Sequence, residues 1–100
     1  MNINDMLYAD SFLVNFNGTS KKQVLDELSK LAEKKLEINS RTLLENITKR
    51  EKLGSTAVGN GIAIPHANVP NIEKCYVFVS TLVNGIDFNS IDDQLVDIVF

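Results

Sequence analysis

Cys75-Tyr76-Val77-Phe78-Val79-Ser80-Thr81-Leu82-Val83 is apolar at nearly every position and rich in β-branched residues. A strand with one wet face alternates apolar with polar, whereas one covered on both faces does not. The stretch therefore predicts a central strand with structure packed above and below it. Asn84-Gly85 after it predicts a turn, and Ile86 with Phe88 a short edge. Leu95 to Phe100 (L-V-D-I-V-F) repeats the signature and predicts a second interior strand. The sequence ends inside that strand, so residues 1–100 are expected to be the front part of one longer domain.

Working back from the central strand, the other elements alternate in type. Ile3, Met6 and Leu7 have the spacing of one amphipathic turn. Ser11 to Phe16 alternates, with Phe12, Val14 and Phe16 on one side, and predicts a short strand ended by Asn17-Gly18. Ser20 and Gln23 have capping-box spacing. Val24, Leu25, Leu28, Leu31, Ala32 and Leu36 follow at steps of three and four, an apolar stripe along one helix. Asn39-Ser40 offers a second N-cap, with Leu43, Leu44 and Ile47 as the buried face of a shorter helix. Gly54 is its natural stop, which puts Arg50 in its last turn. Ile62-Ala63-Ile64 predicts a short strand ending at Pro65, which has no N–H for a ladder. Pro70-Asn71 predicts a turn. Helices interleaved with strands, two of the strands wholly apolar, define an α/β fold in layers.

Composition narrows the function. Net charge is −3, from 10 basic and 13 acidic residues. No basic excess suggests a nucleic-acid partner. The single cysteine, Cys75, excludes an internal disulfide and suits a reducing, cytoplasmic setting. The N-terminus has no signal-peptide pattern. No window reaches the roughly 18 consecutive apolar residues of a membrane span, so direct membrane insertion is not expected. One histidine and one cysteine make no zinc set.

The candidate chemistry lies in Arg50 to Ala67, R-E-K-L-G-S-T-A-V-G-N-G-I-A-I-P-H-A. It holds three of the 5 glycines and the only histidine, His66. His66 follows a proline at the end of a strand, where an imidazole nitrogen can act as a nucleophile. A lone histidine is also often structural. Gly54, Gly59 and Gly61 allow a loop whose free N–H groups cradle an anion, with Ser55, Thr56 and Asn60 adding side-chain donors. A plain connector would look the same. Gly54 and Gly59 have the spacing of a nucleotide-binding P-loop, but Asn60-Gly61 stands where that motif needs Lys and Ser/Thr, and a helix precedes it. Arg50 is either a phosphate clamp or a helix-end arginine paired with Glu51 or a neighbouring carboxylate. Asp87, Asp92 and Asp93 are loop acids with no paired-carboxylate site.

Read as one ordered string, Arg50 to Ala67 resembles the signature of the fructose/mannitol-type (type 2) enzyme IIA domain of the phosphoenolpyruvate-dependent phosphotransferase system. The string I-D-F-N-S-I-D-D-Q-L-V-D-I-V-F is similar to that family's next block. The uninterrupted G-N-G-I-A-I-P-H is most similar to the nitrogen-regulatory branch. The resemblance implies a three-layer α/β/α fold around a mixed central sheet. It implies that His66 accepts a phosphoryl group, with Arg50 beside it and Ser55, Thr56, Gly59, Asn60 and Gly61 in the phosphate-binding loop. No metal or other cofactor is implied. The implied donor is a phosphocarrier protein; the acceptor is a regulatory target protein or a IIB domain. Leu95 stands where the family usually has proline. Family domains continue about half as long again, often with a second active-site histidine, which no residue here matches. The other readings are a sugar-specific IIA component and a non-catalytic binding module of the same fold.

Overall fold

The computed structural model describes residues 11–69 and 75–100. The expected turns at Ile3–Leu7 and Pro70-Asn71 lie outside the described residues. In chain order the elements are β1 (Phe12–Phe16), α1 (Lys21–Leu36), α2 (Ser40–Leu53), β2 (Ala57–Gly59), β3 (Ile62–Ala63), β4 (Val79–Ile86) and β5 (Val96–Val99). The strands form one sheet in the order β1-β4-β5-β3-β2. The β1/β4 and β3/β5 pairs are parallel, while β4/β5 and β2/β3 are antiparallel. The fold is therefore α/β with a mixed sheet. Among the described residues, α1 lies against β4 and α2 packs on α1.

The apolar stripe builds α1. Val24, Leu25, Leu28 and Ala32 are buried. Each fully buried Val or Leu side chain contributes about 1.5–3 kcal/mol, far more than the exposed Lys30 pairs with Asp26 and Glu27 on the outer face. Ser20 caps the helix by accepting from the Gln23 N–H at 3.2 Å. The return half of the expected capping box is displaced by one residue, because Gln23 Oε1 accepts from the Thr19 N–H. Ser29 is fully buried on the same helix and donates its hydroxyl to the Leu25 carbonyl, so it leaves no orphaned donor. Asn39 caps α2 by accepting from the Thr42 N–H at 3.1 Å. Leu43, Leu44 and Ile47 do not form a buried face as expected; α2 has no buried residue, and these three are half-buried. Among the described residues α2 packs chiefly on α1, and Leu43 and Ile47 line an open apolar groove.

Three strand expectations are corrected. First, the strand expected from Cys75 begins at Val79, and it is interior but second in the sheet, not the middle strand. Its ladder starts where β1 does, with the Val79 N–H donating to Ser11 O and Phe12 opposite Val79. Second, Asn84-Gly85 is no turn; β4 continues through it to Ile86. Gly85 has no positive φ of the kind a tight hairpin needs. A Cβ there would lie 2.7 Å from Leu95 Cβ, so the glycine makes room for the leucine that crosses over it. Pairing between β4 and β5 is irregular between Thr81 and Ile86, a common setting for a strand glycine. Third, Ile86 and Phe88 are not an edge. Ile86 closes β4 and Phe88 is fully buried from the following loop.

The alternation in β1 also fails at one point. Asn15 adopts a left-handed φ of 55°, and its N–H donates to Thr81 Oγ1 at 2.8 Å. The register shifts between Leu13 and Phe16. Phe16 thus packs against the core while Phe12 and Val14 remain exposed. The core itself gathers Val24, Leu28, Ala63, Leu82, Ile86, Phe88, Val96 and Val99. β5, expected to be interior, is the middle strand, with Val96 and Val99 fully buried.

Candidate functional site

The hairpin of β2 and β3 carries the chain toward His66. Its tip is Asn60-Gly61, with φ of 57° and 81°. Positive φ at both central residues is the type I′ turn that Asn-Gly favours between antiparallel strands. The open end of the hairpin places Thr56 opposite Ile64, whose N–H donates to the Thr56 carbonyl at 3.0 Å. Proline follows, pairing stops, and His66 emerges exposed.

The imidazole is oriented by its own backbone. His66 Nδ1 lies 3.1 Å from the Ile64 carbonyl. A carbonyl only accepts, so Nδ1 carries the proton in this bond. In the neutral ring Nε2 then keeps its lone pair, which is the nucleophilic form. His66 also borders an apolar groove of about 900 Å³, together with Leu25, Leu28, Ile64, Pro65 and Phe100.

The predicted loop residues divide into two groups. Ser55 and Thr56 lie at the open end of the hairpin, on the side of His66. Their hydroxyls are engaged within the fold. Ser55 Oγ donates to the Phe88 carbonyl and accepts from the Ala57 N–H. Thr56 is buried, and its hydroxyl donates to Glu51 Oε1. Gly59, Asn60 and Gly61 lie at the opposite end, around the turn. That turn does hold an anion, but a resident one. The Asn60 N–H donates to Asp92 Oδ2 at 3.0 Å, and the Gln94 N–H to Asp92 Oδ1. Those bonds, from Asn60 first and then Gln94, hold the Asp92 carboxyl below the usual carboxylate range. The Gly61 carbonyl accepts from the N–H groups of Asp97 and Ile98, tying the turn to β5.

Arg50 sits in the last turn of α2, half-buried, and donates from Nη1 to the Gly54 carbonyl at 2.9 Å. It does not pair with Glu51. Glu51 instead takes Lys21 Nζ at 2.6 Å, the Thr56 N–H at 3.3 Å and the Thr56 hydroxyl. The Lys21 ammonium lies 5.1 Å from the centre of the Phe88 ring, within cation–π range. Lys21, Glu51 and Phe88 brace the His66 end of the hairpin and Asp92 its far end, and no local signal in the sequence assigns them those places. The sequence offers Glu51 as a pairing partner for Arg50, Phe88 as part of an edge and Asp92 as a loop acid. Among the described residues, no group of three His, Cys, Asp or Glu side chains could hold a metal ion.

Residues 5–100 match the family described as phosphoenolpyruvate-dependent sugar phosphotransferase system, EIIA 2. The nitrogen regulatory protein of Bradyrhizobium diazoefficiens is 43% identical over 100 residues, covering 100% of this chain and 65% of the relative. The fructose-specific EIIABC component of Bacillus subtilis is 32% identical over 101 residues, covering 100% of this chain and 16% of that protein. The crystal structure of nitrogen regulatory protein IIA-Ntr from Neisseria meningitidis superposes with a TM-score of 0.92 at 26% identity, covering 98% of this chain and 67% of that one. The chain thus spans just under two thirds of the Bradyrhizobium relative's length.

Proposed function

Because the chain belongs to the type 2 enzyme IIA family of the phosphoenolpyruvate-dependent phosphotransferase system, we propose that it is a phosphoryl carrier and that His66 Nε2 is the acceptor atom. The observation that carries this reading is the Nδ1 contact with the Ile64 carbonyl, which in the neutral ring puts the proton on Nδ1 and leaves the Nε2 lone pair available. The family supplies the reaction class, and the ring geometry supplies the atom.

The step is an in-line displacement. The Nε2 lone pair attacks the phosphorus of a phosphohistidine on a phosphocarrier protein. The donor P–N bond breaks, and its electron pair returns to the donor ring. His66 keeps its Nδ1 proton throughout, so the phosphorylated ring is cationic and the Ile64 carbonyl stabilises that charge. The donor is already an activated phosphoramidate, so the protein's share is positioning and charge stabilisation. Arg50 is the candidate clamp for the transferring oxygens, with a planar fork suited to phosphoryl groups. The fold already uses the hydroxyls of Ser55 and Thr56 and the N–H groups of Gly54, Thr56 and Ala57, which leaves Arg50 the stronger candidate.

The nitrogen-regulatory branch is favoured over the sugar-specific one by identities of 43% against 32% over matching lengths. In that branch the phosphorylation state of His66 would select a regulatory target protein; in the other a IIB domain would take the phosphate. A phosphocarrier donor of this kind would put the protein in the cytoplasm. No helix among the described residues is long and apolar enough to cross a membrane.

The test is reconstitution with phosphoenolpyruvate, enzyme I and a phosphocarrier protein. The full-length protein should gain an acid-labile, base-stable phosphate, and His66→Ala should gain none. Wild-type protein without phosphate, or a labelled His66→Ala variant, would contradict the assignment. A IIB domain of the fructose type that drains the phosphate rapidly would favour the sugar-specific branch.

A further inference from the structure

Glu51 is a buried carboxylate that the transfer chemistry leaves unexplained. Its side chain is only 6% exposed. Both oxygens are filled: Oε2 by the Lys21 ammonium and the Thr56 N–H, Oε1 by the Thr56 hydroxyl. Buried ionic clusters are weak contributors to net stability, since apolar replacements of similar volume are often as stable. What they do provide is a fixed geometry. Here three elements meet at one carboxylate: the first turn of α1 through Lys21, the last turn of α2 through Glu51 itself, and the start of the hairpin through Thr56.

The hydrogen bonds continue from that point to the imidazole without a gap. Glu51 holds the Thr56 N–H and hydroxyl. The Thr56 carbonyl accepts from the Ile64 N–H at 3.0 Å. The Ile64 carbonyl accepts from His66 Nδ1 at 3.1 Å. The far side of the cluster is also braced, because Lys21 sits over the Phe88 ring and the Phe88 carbonyl accepts from Ser55. We propose that Glu51 is a positioning residue for phosphoryl transfer: through Thr56 and Ile64 it fixes the tautomer and direction of the His66 ring. This rests on His66 being the acceptor. Without the Glu51 anchor, Thr56 has two unpaired donors, the Ile64 peptide loses its fixed partner, and the ring relaxes toward the Nε2–H tautomer that free histidine favours.

Thr56→Val in the full-length protein is the sharpest probe, because it keeps the shape and removes only the hydroxyl. Thr56→Ser keeps the bond to Glu51, and Glu51→Gln removes the charge but keeps an acceptor. Two readouts apply: ring ¹⁵N shifts of the unphosphorylated protein at a pH where the ring is neutral, and transfer rate against donor concentration. Wild type and Thr56→Ser should show protonated Nδ1. Thr56→Val and Glu51→Gln should move toward protonated Nε2. Their rates at saturating donor should fall roughly ten- to a hundredfold, the range set by small misplacements of a reacting atom, with donor KM unchanged. Denaturation midpoints identify any variant that has lost its fold. Wild-type ring shifts in both Thr56→Val and Glu51→Gln would overturn the proposal, whatever the rate. Failure of wild type to take phosphate would remove the acceptor reading instead, and the ring shifts would still decide whether Glu51 orients His66.

Discussion

Replacing Arg50 by alanine should separate what this residue does for the fold from what it does for the transferring group. Its structural contribution is small. One exposed hydrogen bond from a charged donor to the Gly54 carbonyl is lost, together with a cation in the last turn of α2. Such a charge near a helix C-terminus contributes about 0.3–1 kcal/mol. An exposed hydrogen bond adds about 0.5–1.5 kcal/mol, for a total loss of about 1–2.5 kcal/mol, each 1 kcal/mol being roughly 4–8 °C in Tm for about 100 residues. The catalytic contribution should be larger. A guanidinium has five N–H donors, and among the described residues the Gly54 carbonyl takes one of them. Loss of a preorganised donor aimed at developing charge costs about 10²–10³ in rate, or ~2.7–4 kcal/mol. Thermal denaturation and single-turnover transfer from a phosphorylated carrier should therefore diverge for Arg50→Ala. Arg50→Lys keeps the helix-end charge but not the fork, so it should regain most of the stability and only part of the rate. Transfer within twofold of wild type for Arg50→Ala, or a rate loss matched by an equal loss of stability, would refute the clamp.

Two further outcomes probe the scaffold. Gly85→Ala should destabilise by about 1–3 kcal/mol, because its new methyl meets Leu95 Cβ at 2.7 Å; adding Leu95→Gly should return much of that in urea denaturation, and purely additive effects would discount the crossing. Asp92 is held below the ordinary carboxylate range by the Asn60 and Gln94 N–H groups. Its folded pKa lies under its unfolded one, so its stabilisation is complete above the unfolded value and is lost as pH falls through the folded one. The urea midpoint of Asp92→Asn should accordingly fall less steeply than wild type on acidification, and parallel curves would count against the Asp92 carboxylate as the anion of this turn.

Much of the fold was legible because burial leaves a periodic trace. The stripe from Val24 to Leu36 and the apolar run before Phe100 report their partners directly. The failures share one cause, which is that pairing depends on neighbours a local window does not contain. Asn84-Gly85 has the composition of a turn, yet Leu95, ten residues away, needs the missing Cβ. Val14 and Phe16 share a parity in sequence, yet the left-handed Asn15 puts them in different surroundings. The site follows the same pattern. His66 stood out as the only imidazole behind a proline, and Arg50 as a helix-end cation. That an Asn-Gly pair is favoured in a type I′ turn was also readable, but not that Asp92 fills it from 32 residues on. The Lys21–Glu51–Thr56 cluster joins residues 30 and five positions apart. Nothing in charge patterning alone pairs Glu51 with Lys21 in preference to adjacent Arg50.

The most direct measurement of the central claim is the nitrogen to which phosphate attaches. The full-length protein, labelled with ¹⁵N at histidine and phosphorylated through enzyme I and a phosphocarrier, should show ³¹P coupling to Nε2 of His66, with Nδ1 still protonated. Phosphate on Nδ1, on another residue, or on a His66→Ala variant would contradict it.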